Sequence, residues 1–392
     1  MTGRRHIIVI YTMAGGGHLK AAESLREVLE ATGRYRVTLV NPYVELMPHL
    51  DLWQRLTKRT SEDIYNQTII GEGKTGLFCL TYYAGILLNF KLAYREGRKL
   101  LGDYFKSQKP DMVISVLPML NRVIFDAVED YRKTVADPRS IQSAVLITDW
   151  TEYGRHIWFP KGRDYHAICG TDESFRKAGS YKNLSGRVHA TQGILLMPSF
   201  QDTSNLDKRQ AKIDLGLDPD VPVICMLYGG QGSWRMKELT KSLIAHAPRA
   251  QILLLCGRNT ALAQQLEEME MPFAHRVVAF TNEVPKYLGA SDIFVGKPGP
   301  GSVSEALHFG QHLLLDRTMA LPQELPVLKW VVKHGAGSAF KSTRSFISAL
   351  SRLLDKTTHD AQALSPRPNK ASEQIPAIID GIFAPGKATG DA

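Results

Sequence analysis

Short apolar runs alternate with helical patterns along the chain. Six runs in the first half have the length and apolar character of buried strands, at residues 6–13, 36–43, 111–118, 143–150, 164–170 and 188–195. Five more follow, at residues 223–233, 251–259, 276–284, 292–302 and 312–316. Between the runs, apolar residues recur at helical spacing. This alternation predicts parallel sheets joined by right-handed crossovers.

A polar stretch at residues 197–222 interrupts the alternation and has the character of a linker with a short helix. The length of 392 residues suits two domains of ordinary size. We therefore predict an α/β protein with two Rossmann-like domains facing each other across a cleft. The predicted boundaries are residues 1–200 for the first domain, 201–365 for the second and 366–392 for a C-terminal segment.

Three glycine-rich loops follow predicted strands. The first lies in "YTMAGGGHLKAAESL", where the glycines precede His18 and a helix with Leu19, Ala22, Leu25 and Leu29 on one face. Such a loop lets backbone amides approach an anion at a helix N-terminus. The alternative is a tight turn with an incidental histidine, and the spacing matches neither the dinucleotide nor the Walker A pattern.

The other two loops belong to the second half. One contains Gly229, Gly230 and Gly232, and the other contains Gly296, Gly299 and Gly301 before Ser302 and Glu305. Ser302 and Glu305 have the spacing of a capping box, which is the alternative to a binding role. Ligands of open α/β sheets bind at the carboxyl ends of strands. Three such loops therefore predict that a nucleotide and a second substrate meet in the cleft.

The net charge of +9 is concentrated in residues 1–200, which carry 27 Lys and Arg against 20 Asp and Glu. This indicates an anionic partner or, equally, a basic solvated surface. The segment 75–101 is rich in Leu, Phe and Tyr and then basic at Lys91, Arg95, Arg98 and Lys99. The pattern suits an anionic membrane surface or a core helix with a basic face. No nucleic-acid module is recognisable, so we expect no nucleic-acid partner.

Other features define the compartment. The four cysteines are scattered, which argues against a zinc site or a disulfide framework. The run after Arg4 and Arg5 leads into a glycine turn and is interpreted as a strand and not as a signal peptide. No apolar stretch reaches the length of a membrane span. We expect a cytoplasmic protein, peripherally associated with the inner face of the membrane.

Several segments carry a resemblance to a known family. "GGGHLKAAESL", "PDMVISVLP", "LITDW" and "QGILLMPSF" in the first half resemble the monogalactosyldiacylglycerol synthase and processive diacylglycerol glucosyltransferase family. So do "CGRN", "FTNEVPKYLGASDIFVGKPGPGSVSEAL" and "PQE" in the second half. These enzymes are related to the peptidoglycan glycosyltransferase that makes lipid II. The similarity covers about residues 7–340 and is most specific at 280–307.

The resemblance implies a GT-B glycosyltransferase. It implies transfer of a hexose from a UDP-sugar to a membrane lipid, with diacylglycerol as the expected acceptor and with inversion at the anomeric carbon. Neither a metal nor another cofactor is expected. The fold's relatives also have a final helix that returns to the first domain, here expected at residues 372–384.

The resemblance assigns roles to individual residues. His18 is the candidate general base. Asp149 is not assigned by the resemblance: its position at the end of a predicted strand makes it a second-choice base, an orienter of His18 or, equally, a helix cap. Glu305 is expected to hold the ribose. The remaining substrate-binding candidates are Phe280, Thr281 and Asn282 at the uracil, Gly229, Gly230, Gly299, Gly301 and Ser302 at the diphosphate, Gln323 and Glu324 at the hexose, and Gly16, Gly17, Arg258 and Lys297.

Four positions depart from the family pattern. Pro322 and Val327 replace a glycine and an asparagine near the Gln-Glu pair, which leaves the hexose open. Leu117 stands where relatives have a histidine, and Gln231 where a glycine is common. The alternatives are a UDP-sugar-binding protein without transfer activity, a hydrolase or an epimerase on the same frame, or a glycosyltransferase with a different lipid acceptor. The apolar segment 75–101 favours a transferase, because an epimerase needs no apolar acceptor surface.

Overall fold

The computed structural model describes residues 3–71, 77–201, 206–359 and 366–384. The first sheet has six parallel strands in the order β2-β1-β3-β4-β5-β6. Residues Ile7 to Ile10 are fully buried, as expected for a strand covered on both faces. The strands are β1 Arg5–Ile10, β2 Tyr35–Val40, β3 Met112–Ser115, β4 Gln142–Leu146, β5 His166–Cys169 and β6 Val188–Ala190.

Helices cover both faces of this sheet, with one apolar core on each side. Short 3₁₀ turns occur at Pro48–Leu50, Pro138–Ser140 and Lys182–Leu184, and a π-helical segment at Ile64–Gly71. The α-helices of this part are α1 Gly17–Glu30, α2 Pro42–Glu45, α3 Leu52–Thr57, α4 Ser61–Asp63, α5 Leu77–Leu92, α6 Tyr94–Gln108, α7 Asn121–Arg132 and α8 Asp172–Gly179.

The second sheet is also parallel, with the order β12-β11-β10-β7-β8-β9. Its strands are β7 Val223–Leu227, β8 Gln251–Leu255, β9 His275–Val278, β10 Ile293–Gly296, β11 His312–Asp316 and β12 Gly337–Phe340. Its helices are α9 Pro198–Gln201, α10 Lys208–Asp214, α11 Arg235–His246, α12 Thr260–Glu267, α13 Val284–Gly289, α14 Pro300–His308, α15 Leu325–Lys333 and α16 Thr343–His359. Two apolar cores flank the sheet.

The last described helix, α17 Ala371–Phe383, lies on the first sheet's side of the molecule. Ile375 and Ile379 are fully buried in the core that also contains the apolar face of α1. Asp380 accepts two hydrogen bonds from Arg34, at 3.2 and 2.8 Å, and a further one from the Tyr35 hydroxyl. Helix α17 thus completes the apolar core that α1 forms with the first sheet.

The predicted fold class is confirmed: both halves are Rossmann-like and all eleven predicted strands are present. The sequence prediction omitted β12 at the edge of the second sheet. The described part of the apolar segment 75–101 begins in α5 and ends in α6, whereas its residues 75 and 76 lie outside the described residues. Residues 202–205, 360–365 and 385–392 of the predicted domains also lie outside the described residues. Within the described ranges, no helix combines the length and apolar character needed to cross a bilayer.

Candidate active site

The carboxyl ends of β1, β3 and β4 face the glycine loops of the second sheet across a cleft. Three connected cavities follow this cleft. The outer pocket is bordered by Gly257 and residues 279–282, and the glycine-loop cavity by residues 14–18, Gly229, Gly230 and residues 299–302. The apolar cavity, of about 340 Å3, is bordered by α5 and residues 117–120. His18 and Asp149 line both the glycine-loop cavity and the apolar cavity, so they lie where the two meet.

The first glycine loop places His18 in the first turn of α1. Gly15 and Gly16 have φ of 74° and 76°, a conformation that favours glycine, and Gly16 is the N-cap residue. The His18 Nδ1 lies 2.8 Å from the Val116 carbonyl oxygen and 3.1 Å from the Thr148 hydroxyl. A carbonyl only accepts hydrogen bonds, so we assign the proton to Nδ1, which leaves Nε2 free to accept one. Burial lowers the pKa of His18 to about 4, so the ring is neutral at pH 7.

Asp149 follows β4 and accepts a hydrogen bond of 2.8 Å from the indole N–H of Trp158. Burial raises the pKa of Asp149 to about 7, although the bond from Trp158 opposes the shift. Two sequence interpretations of Asp149 are wrong for the described residues: it caps no helix and makes no hydrogen bond to His18. Val116 and Thr148 orient the histidine instead. Asp149 stays the second candidate base.

The third glycine loop ends at Gly299, which is the N-cap of α14. The capping-box interpretation of Ser302 is therefore wrong: Pro300 begins the helix, Ser302 is its third residue, and no side chain caps it. Glu305 is only 6% exposed and lines the glycine-loop cavity. Its Oε1 lies 3.9 Å from Nζ of Lys20, which belongs to α1 across the cleft.

The Gln-Glu pair lies in a 3₁₀ turn, Pro322–Glu324, at the edge of the glycine-loop cavity. The Lys297 ammonium contacts Glu324 Oε1 at 2.7 Å, and the Leu321 amide donates to the other oxygen at 3.0 Å. The Gln323 amide lies within 3.4 Å of the hydroxyls of Tyr65 and Tyr83 from the first half. Gln323 thus connects the two halves, whereas these contacts of Glu324 stay within the second half.

The predicted uracil residues surround the outer pocket. Thr281 and Asn282 line it beside Phe280, a residue that is 49% exposed. The Arg258 guanidinium stacks on that ring, 4.2 Å from its centre. Arg258 itself is not among the described residues that line the three cavities, so its contact with this site is through Phe280.

Glu62 contributes a hydrogen-bonded carboxylate to the lining of the apolar cavity. Glu62 Oε1 accepts hydrogen bonds from the Met13 amide at 2.7 Å, from the Asn41 side chain at 2.9 Å and from the Thr12 hydroxyl. Asn66 adds a bond of 2.7 Å from the Gly15 amide. These contacts fix the loop that carries His18. Of the described residues lining this cavity, two are carboxylates and none is Lys or Arg.

Sequence reasoning missed several residues of the cleft. Lys20, Glu62, Tyr65 and Tyr83 line its cavities, yet the sequence analysis assigned a role to none of them. Of these residues, Lys20 was the easiest to predict from the sequence, because it lies two residues beyond His18 in the same helical turn.

The basic cluster begins at Lys91 in α5 and continues into α6, and its members divide between internal ion pairs and exposed positions. Arg98 donates two hydrogen bonds to Asp130, at 2.6 and 2.7 Å, and Lys99 pairs with Asp103 at 3.0 Å. Arg98 thus forms a partly exposed ion pair between α6 and α7. Lys91 and Arg95 are exposed, as are four leucines of α5: Leu80, Leu87, Leu88 and Leu92.

Residues 223–381 match the Glycosyltransferase family 28 C-terminal domain. The chain is a glycosyltransferase. It is 24% identical over 400 residues to the probable chloroplastic monogalactosyldiacylglycerol synthase 3 of Oryza sativa subsp. japonica, covering 96% of this chain and 73% of that protein. It is 24% identical over 362 residues to the processive diacylglycerol beta-glucosyltransferase of Bacillus licheniformis, covering 90% and 88%.

The fold of this glycosyltransferase is similar to that of MurG from Acinetobacter baumannii, with a TM-score of 0.61 at 14% identity. The superposition covers 96% of this chain and 99% of that one. The predicted resemblance to lipid glycosyltransferases and the GT-B architecture are therefore confirmed.

Proposed function

We propose that this glycosyltransferase moves a hexose from a UDP-sugar to diacylglycerol in a membrane, with inversion at the anomeric carbon. The observation that carries the proposal is the continuity of the cleft: a pocket suited to a nucleotide leads past His18 into an apolar cavity. Both relatives are named for sugar transfer to diacylglycerol lipids.

The second half suits the donor. Uracil occupies the outer pocket beside Phe280, and the diphosphate lies at the loop amides and the N-terminus of α14, where the helix dipole favours an anion. Glu305 is buried and does not cap α14, so its carboxylate can accept hydrogen bonds from the ribose hydroxyls. Gln323 and Glu324 face the hexose.

The chemistry needs one base. The acceptor hydroxyl loses its proton to Nε2 of His18, and its oxygen forms a bond to the anomeric carbon from the face opposite the diphosphate. The bond between that carbon and the diphosphate oxygen breaks, and the electron pair leaves with UDP. Because Nδ1 is held by Val116, the ring presents its basic nitrogen to the cleft.

The apolar cavity suits an uncharged lipid. Its lining carries Glu62 and Asp149 but, among the described residues, no cation that would stabilise a phosphate headgroup. Leu80 and Leu87 line this cavity and are also exposed on the surface of α5. A lipid that leaves a bilayer beneath α5 therefore has a short apolar path to His18. The exposed leucines support peripheral association with a membrane, and the basic first half supports an anionic face, which we take to be the inner one.

The test uses purified protein, a panel of UDP-hexoses and vesicles that contain diacylglycerol, with products identified by mass spectrometry. We expect a glycosyldiacylglycerol from one UDP-hexose, no product from vesicles that contain phosphatidic acid instead, and unchanged activity in the presence of a chelator. Free hexose or an epimerised UDP-sugar formed without vesicles would contradict the proposal and favour the hydrolase or epimerase alternative.

A further inference from the structure

We infer that Lys20, from the first domain, binds the diphosphate of the donor and stabilises UDP as it departs. The inference rests on the proposed function, because it takes the donor to be a nucleoside diphosphate sugar. Lys20 would then be a catalytic residue supplied by the first domain. It lies opposite the nucleotide-binding loops, where it faces Glu305 across the cleft.

The position of Lys20 is the first argument. Lys20 lines both the outer pocket and the glycine-loop cavity, and so do Gly229, Gly230 and Ser302. The uracil and hexose positions are joined by the diphosphate, so the diphosphate must lie where these two cavities meet. The lysine therefore reaches the segment of the cleft that the loop amides also border.

The charges of the site are the second argument. Lys20 and Lys297 are the described Lys or Arg residues that line the glycine-loop cavity. Lys297 is committed to Glu324 at 2.7 Å, and both side chains are nearly buried. Lys20 lies 3.9 Å from Glu305, beyond hydrogen-bond distance, and its side chain is 48% exposed. Lys20 is thus the cation that can turn toward an arriving anion.

The reaction explains the need for this cation. When the bond to the anomeric carbon breaks, the electron pair stays on the β-phosphate oxygen, so UDP gains negative charge as it leaves. An ammonium beside that oxygen stabilises the charge where it develops. Glu305 attracts the ammonium toward this point from 3.9 Å away. When the ribose hydroxyls donate hydrogen bonds to Glu305, this attraction weakens and the lysine can turn toward the diphosphate.

The experiment compares UDP with uridine, which lacks the phosphates, by calorimetry or, for weak binding, by NMR titration. The test variant is Lys20→Met. The matched control is Arg26→Met, which removes an equal charge from an exposed position of the same helix. We expect Lys20→Met to weaken UDP binding about 10- to 100-fold, as for a charge-assisted hydrogen bond, with uridine binding unchanged. The control leaves both affinities unchanged, and Lys20→Arg restores most of the loss.

The outcomes separate the two proposals. Unchanged UDP affinity in Lys20→Met, or an equal loss for UDP and uridine, overturns the role of Lys20 while the donor site stands. A parent protein that binds no UDP overturns the donor assignment and the role of Lys20 together. If UDP binding depends on Lys20 but no UDP-hexose supports transfer to lipid, the diphosphate contact stands and the proposed transferase activity fails.

Discussion

At the residue scale, the backbone around His18 determines what its side chain can do. The Val116 carbonyl occupies Nδ1, so the other nitrogen faces the cleft in its basic form. The sequence indicated a histidine after a glycine loop but gave no sign of which backbone group would orient it. Val116 is 98 residues away in the chain and comes close because β3 lies beside β1 in the sheet.

Replacing His18 by alanine removes the proposed base and leaves the donor loops intact. We expect kcat to fall by a factor of about 10²–10⁴, as is typical for the loss of a general base, while UDP affinity stays near that of the parent. Transfer assays at saturating donor and lipid measure the effect. If the turnover rate instead reaches that of the parent at saturating lipid and only the KM for the lipid rises, His18 is assigned to acceptor binding. Arg26→Ala, at an exposed position of the same helix, is the control and should leave kcat near that of the parent.

The pH dependence distinguishes the two candidate bases. A base works only when unprotonated, so activity is lost as the pH falls through its pKa. With the pKa of His18 lowered to about 4 by burial, we expect kcat/KM to stay level from pH 8 down to about 5. Asp149, whose pKa burial raises to about 7, would cause a loss already near neutrality. A profile that declines below pH 7 and levels out in Asp149→Asn would assign the proton to Asp149.

At the scale of elements, the buried strands were predictable and the edges were not. Strands such as β1 and β7 are continuous apolar runs because a parallel sheet is covered on both faces. The last strand, β12, reads "GSAF" and lies at the sheet edge, where short polar segments suffice. The start of α14 was misjudged because Ser302 has the spacing of a cap, whereas Pro300 begins the helix.

The C-terminal helix α17 offers a test of stability. Ile375 is fully buried against the first sheet, so Ile375→Ala leaves a cavity. We expect the free energy of unfolding of that part to fall by about 2–5 kcal/mol. The exposed neighbour Glu373 provides the control, and Glu373→Ala should change the value by about 0.5 kcal/mol or less. Urea unfolding followed by circular dichroism measures both, and equal midpoints would show that α17 adds little.

At the scale of the whole molecule, the site exists only where the two halves meet. Lys20 faces Glu305, and Gln323 faces Tyr65 and Tyr83, across boundaries that no local pattern reveals. A single sequence gives spacing within a motif, but it does not give the distance between motifs on different domains. That is why the glycine loops were found and the residues between them were missed.

Binding to a membrane surface is a further prediction at the scale of the whole molecule. The exposed leucines of α5 and the basic first half predict binding to anionic vesicles that weakens with salt, because each basic residue at such a surface contributes about 1 kcal/mol. We expect Lys91→Glu with Arg95→Glu to reduce co-sedimentation. Lys241→Glu, at an exposed position of the second half, is the control and should have little effect. Equal binding to neutral vesicles at low and high salt would contradict the electrostatic contribution.

The position of α17 has a consequence for biosynthesis. A ribosome releases β1 to β6 long before it releases residues 371–383, and N-terminal domains generally begin to fold first during translation. Here the core between α1 and the first sheet lacks Ile375 and Ile379 until α17 has been synthesised. The half that is synthesised first therefore keeps part of its apolar face exposed to water and to chaperones until residues 371–383 leave the ribosome.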